Sequence, residues 1–168
     1  PSNGEVEIQS GGALLYTPAA DFFGIDAFMY TVADAGGTAT ASVAVTVTPV
    51  NDAPVALADT AEGAEDTPVT IDVLANDADV DGDALSISGF AFQPSNGSVA
   101  IVAGSVLYSP SIDFVGTDSF TYRVTDRLAT AEAEVTVTIG GRNDAPLAAN
   151  DEATTAEDTA VSIAVLAN

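Results

Sequence analysis

Apolar and polar residues alternate along several short stretches of the chain. In the clearest stretch, Thr130 to Ile139, Ala, Val or Ile occupies every second position and Thr or Glu the others. Such strict alternation is typical of a strand with one buried and one solvated face. The inward face predicted here consists of Ala131, Ala133, Val135, Val137 and Ile139. An equivalent run predicts a second strand of this kind, whose inward residues are Ala39, Ala41, Val43, Val45 and Val47.

Shorter runs of β-branched and aromatic residues, separated by Gly, Pro, Asn or Asp, predict further strands. They cover residues 69–74, 85–90, 99–102, 106–108 and 120–124. No stretch shows the 3.6-residue period of an amphipathic helix. About seven short strands in roughly 90 residues predict an all-β, immunoglobulin-like Greek-key β-sandwich. Residues 118–124 also resemble the tyrosine corner of such sandwiches, with Tyr122 as its tyrosine.

The sequence repeats with a period of about 92 residues, a length that fits one such sandwich per repeat. Residues 1–4 recur at 94–97, residues 21–30 match 113–122, and the tetrapeptide Asn-Asp-Ala-Pro occurs at 51–54 and at 143–146. The phase of these matches predicts three units. Residues 1–50 form the C-terminal part of a first repeat, residues 51–142 a complete repeat, and residues 143–168 the N-terminal part of a third.

The composition limits the chemistry that the chain can perform. Three Arg stand against 25 acidic residues, giving a formal net charge of −22, and Lys, His and Cys are absent. Such a charge repels phosphate backbones and anionic headgroups, so nucleic-acid and lipid binding are not expected. Thiolate and imidazole chemistry are excluded, and we expect no enzymatic activity. Carboxylate and amide oxygens suit a hard cation such as Ca²⁺.

The acidic residues are concentrated between Asp59 and Asp83. At the end of this stretch, Asp77, Asp79 and Asp81 are followed by Gly82 and Asp83, which matches the carboxylates at positions 1, 3 and 5 and the Gly at position 6 of a calcium loop. Position 12 would be Ser88 instead of Glu, and no helices flank the loop, so it is not an EF-hand. A solvated Asp-rich turn explains the same pattern without a metal.

A second candidate metal site lies at the boundary between repeats. Asn51 and Asp52 follow the last strand of one unit, and Glu65 and Asp66 lie in the loop before Val69. Folding could bring these groups together at one end of a domain. The alternative is a linker stiffened by Pro54, beside a solvated loop.

Taken together, four motifs resemble the tandem cadherin-like and immunoglobulin-like repeats of large bacterial surface proteins of the adhesin type. The motifs are Asn-Asp-Ala-Pro at the boundary, Ala-Glu-Asp-Thr at 64–67, Val-Leu-Ala-Asn-Asp-Ala-Asp-Val-Asp-Gly-Asp at 73–83, and Gly-x-Asp-x-Phe-x-Tyr-x-Val at 116–124. The resemblance covers the whole chain. It implies an extracellular spacer that Ca²⁺ bound at the junctions makes rigid.

The resemblance also implies which residues would hold the ions. At the first junction they are Asn51, Asp52, Glu65, Asp66, Asp79, Asp81 and Asp83; at the next they are Asn143, Asp144, Glu157 and Asp158. The boundary departs from the cadherin linker pattern Asp-x-Asn-Asp-Asn-x-Pro, because Pro49 replaces the leading Asp and the third Asn is absent. Fewer or weaker ions per junction are therefore expected.

The leading hypothesis is thus a calcium-binding structural repeat that extends and rigidifies a bacterial surface adhesin or matrix protein. Its partners would be neighbouring repeats or other copies of itself, with cell-surface or matrix glycans bound through other domains. The alternative is a filament subunit, in which residues 143–168 of one copy add strands to residues 1–50 of the next. Carbohydrate binding ranks below both, because there is no Trp, and Phe90 and Phe92 are the only aromatic residues outside the repeated core set. Adaptation to high salt is a further explanation of the acidity.

Overall fold

The computed structural model describes residues 1–166, and the regular secondary structure of that range is entirely β-strand. The first four strands are β1 (Gly4–Ile8), β2 (Leu14–Pro18), β3 (Gly24–Asp34) and β4 (Gly37–Val47). The other seven are β5 (Asp59–Ala64), β6 (Val69–Ile71), β7 (Ser86–Phe92), β8 (Gly97–Val102), β9 (Ser105–Pro110), β10 (Gly116–Thr125) and β11 (Thr130–Gly140). Ala167 and Asn168, the end of the predicted third repeat, lie outside the described residues.

Residues 51–142 contain two sheets. One has the strand order β5-β11-β10-β7 and the other the order β6-β9-β8. All pairings are antiparallel except that of β5 with β11, which is parallel. Most of the fully buried side chains come from strands of both sheets, as expected for the core of a sandwich; they are Val106, Tyr108, Phe120, Tyr122, Val124, Val135, Val137 and Ile139. Val73, just after β6, is also fully buried. The all-β sandwich is thereby confirmed.

The alternation in β11 is observed as predicted. Ala133, Val135, Val137 and Ile139 are buried, whereas Glu132 and Glu134 are exposed. Tyr122 is buried but does not form the tyrosine corner that the sequence predicts. Its hydroxyl lies 3.0 Å from the carbonyl oxygen of Val73, far upstream, instead of bonding to the backbone a few residues away.

Strand β5 was not predicted, because its sequence Asp-Thr-Ala-Glu-Gly-Ala contains no apolar run. Its backbone pairs with β11, and Gly63 leaves the space that the side chain of Val69 occupies. Strand β6 ends at Ile71, earlier than predicted. After it the chain turns, with the N–H of Ala75 donating to Asp72 O and the N–H of Asp77 donating to Leu74 O.

Residues 1–50 reproduce the pairing of the second half of the sandwich. Strands β3 and β4 pair from Gly24↔Val47 onward, as β10 and β11 pair from Gly116↔Ile139. Asp26 and Asp118, at equivalent positions, each accept hydrogen bonds from two backbone N–H groups of the preceding Ser-Asn pair and from a Tyr hydroxyl. The repeat is therefore structural as well as sequential.

The first unit differs from the middle one in burial. In β4, Val43, Val45 and Val47 are half-buried, but Ala39 and Ala41, predicted to face inward, are exposed. Within the described residues, β1 pairs only with β2 and β3 only with β4. These hairpins therefore lack the facing strands that cover the equivalent positions of the middle unit. Residues 143–166 contain turns at 157–158 and 165–166 but no strand.

Candidate metal centres

The Asp-rich turn after β6 brings three carboxylates together. Asp79, Asp81 and Asp83 each place a carboxylate oxygen within 4.8 Å of the others. The Oδ1 atom of Asp79 accepts the backbone N–H groups of Asp81 (2.9 Å) and Asp83 (3.3 Å), which fixes the turn. Asp79 Oδ2 is buried and has no hydrogen-bond partner among the described residues. An unpaired buried oxygen is costly unless a donor or cation satisfies it.

This turn contacts the boundary between the first and middle units. The backbone N–H of Asp52 donates to Asp81 Oδ2 at 2.7 Å, and Asn51 Nδ2 donates to Asp126 Oδ2 at 2.8 Å. Asp126 is buried and also accepts the N–H groups of Leu128 and Ala129. Hydrogen bonds from Ala129 N–H and Asn51, only partly opposed by desolvation, hold the pKa of Asp126 below its usual range.

The first unit contributes an acidic residue to the same boundary. Asp21 lines a cleft together with Asp52 and Asp81, so the two units and the linker each supply one carboxylate to its walls. Asp21 has a backbone φ of 59°, in the left-handed region that Asp tolerates better than most residues. The oxygens of these three carboxylates do not all lie within 4.8 Å of one another, so the compact acidic group at this boundary is that of Asp79, Asp81 and Asp83.

A second acidic group lies at the opposite end of the middle unit. Carboxylate oxygens of Glu65, Asp113 and Asp144 lie within 4.8 Å of one another. Glu65 is only 4% exposed, its N–H donates to Gly140 O, and its Oε1 accepts the N–H of Arg142. Asp113 and Asp144 are the repeat equivalents of Asp21 and Asp52. Equivalent acidic residues therefore lie at both ends of the middle unit.

Of the remaining predicted ligands, some contact the second group and others lie apart from both groups. Asp77 interacts with the hydroxyl of Tyr122 and the N–H of Leu57. Asp66 Oδ1 accepts the N–H of Asp113, which places it beside the second group. Asn143 Nδ2 donates to Asp144 O, as Asn51 Nδ2 does to Asp52 O. Glu157 and Asp158 are exposed in a turn and belong to neither group.

Sequence reasoning missed three acidic residues that the structure places at these ends: Asp21, Asp113 and Asp126. A signal for all three was present. Asp21 and Asp113 occupy the same position of the repeat, and Asp126 has its equivalent in Asp34.

A family model described as the bacterial Ig domain matches residues 1–46 and 51–138. Among curated proteins no sequence matches the chain significantly. No helix long and apolar enough to cross a membrane occurs in residues 1–166.

Several solved structures are similar in fold. Extracellular cadherin domains 1–4 of protocadherin gamma B7 match with 20% identity and a TM-score of 0.52, covering 84% of this chain and 39% of that one. An endo-fucoidan hydrolase of glycoside hydrolase family 107 matches with 21% identity and a TM-score of 0.42, covering 85% of this chain. This chain spans only 23% of that hydrolase. At these identities the similarity to the cadherin domains shows the fold alone.

Proposed function

Because the chain belongs to the bacterial Ig domain family, we propose that it is an extracellular structural repeat that binds Ca²⁺ at its unit boundaries and thereby stiffens a bacterial surface adhesin or matrix protein. The observation that carries the proposal is the group of Asp79, Asp81 and Asp83, whose carboxylate oxygens lie within 4.8 Å of one another. Asp81 also accepts the backbone N–H of Asp52 and lines the cleft that Asp21 of the first unit lines. The buried, unpaired Oδ2 of Asp79 supports it, because a cation would satisfy this oxygen.

The mechanism is linkage between ion binding and domain docking. Carboxylates that lie close together repel one another, and a divalent cation bound between them removes that repulsion. An ion that binds only the docked arrangement stabilises it by RT ln(1 + [L]/Kd), which is about 2.7 kcal/mol at a hundredfold excess of ion over Kd. Extracellular calcium modules typically have Kd values of about 10⁻⁴ to 10⁻³ M, so millimolar calcium outside the cell would saturate such sites only in part.

The experiment is a calcium titration by calorimetry, combined with thermal unfolding and small-angle scattering with and without chelator. We expect chelation to lower the Tm and to broaden the distribution of distances between the first and middle units. An unchanged Tm and an unchanged scattering profile after chelation would refute the proposal. Substitution Asp81→Asn tests this group, and Asp72→Asn is the matched control, since Asp72 is exposed and lies outside the group.

The second group of carboxylates is tested separately with Asp113→Asn. This substitution removes one charge from the group of Glu65, Asp113 and Asp144 and leaves the Asp79–Asp81–Asp83 turn intact. We expect it to weaken a calcium-binding event distinct from the one that Asp81→Asn weakens. If neither substitution changes the calorimetric titration, these groups are not the binding sites.

A second candidate function is head-to-tail assembly by strand complementation. The apolar residues Leu14 and Phe28 line an open cleft, whereas their equivalents in the middle unit, Val106 and Phe120, are fully buried. Val161 and Ile163 match Val69 and Ile71 of the middle unit and are exposed. They could cover this cleft in another copy. We expect long assemblies to grow as the concentration rises, and we expect Ile163→Asp to abolish this growth. A chain that stays monomeric at every concentration would contradict this candidate.

A further inference from the structure

One lateral edge of the middle sandwich carries no charged side chain. Residues 84–112, which include β7, β8 and β9, contain no Asp, Glu, Lys or Arg in a chain with 25 acidic residues. Strands β7 and β8 are the outer strands of the two sheets and are consecutive in sequence. The outer strands of the opposite edge are β5, which contains Asp59 and Glu62, and β6, which Asp72 follows. We call the exposed side of β7 and β8 the neutral edge.

The neutral edge also exposes apolar side chains and unpaired backbone. Phe92 at the end of β7 is 69% exposed, and Ile101 and Val102 in β8 are 44% and 48% exposed. Among the strands that the structure describes, β8 pairs only with β9, so its outer side has no strand partner. Outer strands usually carry charged residues or Pro that prevent pairing with another chain. Strand β8, with the sequence Gly-Ser-Val-Ala-Ile-Val, carries neither.

The first unit provides an internal comparison. Its strand β1 occupies the position of β8 and pairs with β2 as β8 pairs with β9. In β1, Glu5 and Glu7 stand where β8 has Ser98 and Ala100. Two such strands placed side by side in different copies would bring like charges together, which is destabilising. The equivalent strand of the middle unit lacks this protection.

We propose that the neutral edge is a docking surface for a second copy of this chain, joined through antiparallel pairing of β8 with β8 of the partner. The distribution of charge on the chain favours a second copy as the partner. A cationic partner would favour the acidic edge, whereas two copies that each carry −22 can approach most closely where neither presents a carboxylate. An outer strand is complementary to itself in the antiparallel direction, so the contact is isologous and closes as a dimer. Neighbouring surface proteins would thereby associate side by side.

The test is sedimentation velocity of the full chain from micromolar to millimolar concentration, with calcium and with chelator. We expect a monomer–dimer equilibrium under both conditions. The double substitution Ser98→Glu/Ala100→Glu copies the charges of β1 onto two exposed positions of β8 and should lower the association constant at least tenfold. The matched control Thr117→Glu/Ser119→Glu adds the same charge at exposed positions of the central strand β10 and should leave association unchanged.

Backbone amide exchange identifies the contact. Protection of the amides of β8 should increase with concentration in the parent chain but not in the Ser98→Glu/Ala100→Glu variant. Ile163→Asp should have no effect on this dimer, which separates it from head-to-tail assembly. A chain that stays monomeric at all concentrations, or a dimer that persists unchanged in the β8 variant, would overturn the proposal.

Discussion

The hydroxyl of Tyr122 lies 2.9 Å from both carboxylate oxygens of Asp77, which stands 45 positions earlier in the chain. The same hydroxyl is 3.0 Å from Val73 O. Its single hydrogen therefore links the buried end of β10 to the turn that follows β6. Burial, followed by this interaction with Asp77, raises the pKa of Tyr122, so the residue stays protonated and keeps donating throughout the neutral range.

Substitution Tyr122→Phe is expected to destabilise the middle unit by about 1–3 kcal/mol, because it removes one of two donors to the half-buried carboxylate of Asp77 and leaves only the N–H of Leu57. Chemical denaturation in the presence of chelator measures this loss. Tyr30 is the repeat equivalent and is 39% exposed, so Tyr30→Phe is the matched control and should be close to neutral. Equal effects of the two substitutions would mean that the hydrogen bond to Asp77 contributes nothing specific.

Asp59 should weaken the folded state at neutral pH. Burial, followed by the nearby charge of Asp77, raises its pKa, and its Oδ2 atom is enclosed without a partner among the described residues. A raised pKa in the folded state means that stability is lost as the pH rises through that pKa. Asp59→Asn is therefore expected to stabilise the chain at pH 7, by about 1 kcal/mol or less, as is typical of a partly exposed charge.

Unfolding curves of this variant and the parent across the acid range provide the check. The stability difference should vanish below the usual carboxyl pKa of 3.8, where the parent residue is protonated in both states. Glu62→Gln removes an exposed charge from the same strand and serves as control. A variant that is less stable than the parent at pH 7 would show that the charged form of Asp59 is favoured.

The hydrogen bond from Asn51 to Asp126 should hold the boundary between the first and middle units. Asn51→Ala is expected to cost about 1 kcal/mol of stability and to broaden the inter-unit distances seen by scattering. Because Asn51 helps to lower the pKa of Asp126, the substitution should raise that pKa towards its ordinary value. An NMR titration of the Asp126 carboxyl carbon measures this shift.

Asn143→Ala is the matched control for the boundary experiment. Asn143 occupies the equivalent position of the next boundary, is exposed, and donates to the carbonyl of Asp144. It should change neither the pKa of Asp126 nor the scattering profile. An unchanged pKa of Asp126 in Asn51→Ala itself would contradict a direct role for the hydrogen bond.

The sequence predicts those features that depend on residues close together in the chain, and not those that depend on residues brought together by folding. The alternation in β11 is visible because neighbouring residues report the two faces of one strand. Asp79, Asp81 and Asp83 lie in one turn, so their proximity follows from their spacing. Glu65, Asp113 and Asp144 come together only through folding, and no spacing rule connects them. Strand β5 is held by pairing with β11 and by the space at Gly63, neither of which leaves an apolar pattern.

Gly97 should be required for close packing at the start of β8. A Cβ atom at this position would lie 2.6 Å from Ser109 O and 2.8 Å from ring carbons of Tyr108. The Tyr108 ring is fully buried, its hydroxyl donates to Asp118 at 3.0 Å, and it stacks on Phe120. Since this ring has little room to move, Gly97→Ala is expected to destabilise the middle unit by about 1–3 kcal/mol.

The equivalent substitution in the first unit provides the comparison. A Cβ atom on Gly4 would meet Thr17 O at 2.5 Å and the ring of Tyr16 at 2.8 Å, which is nearly the same local geometry. Tyr16 is only half-buried, however, so it can shift towards solvent. Gly4→Ala should therefore cost less than Gly97→Ala when thermal unfolding of the two variants is compared. Equal losses of stability would show that the clash with the carbonyl oxygen, which both units share, determines the cost. The enclosure of the Tyr108 ring would then contribute nothing.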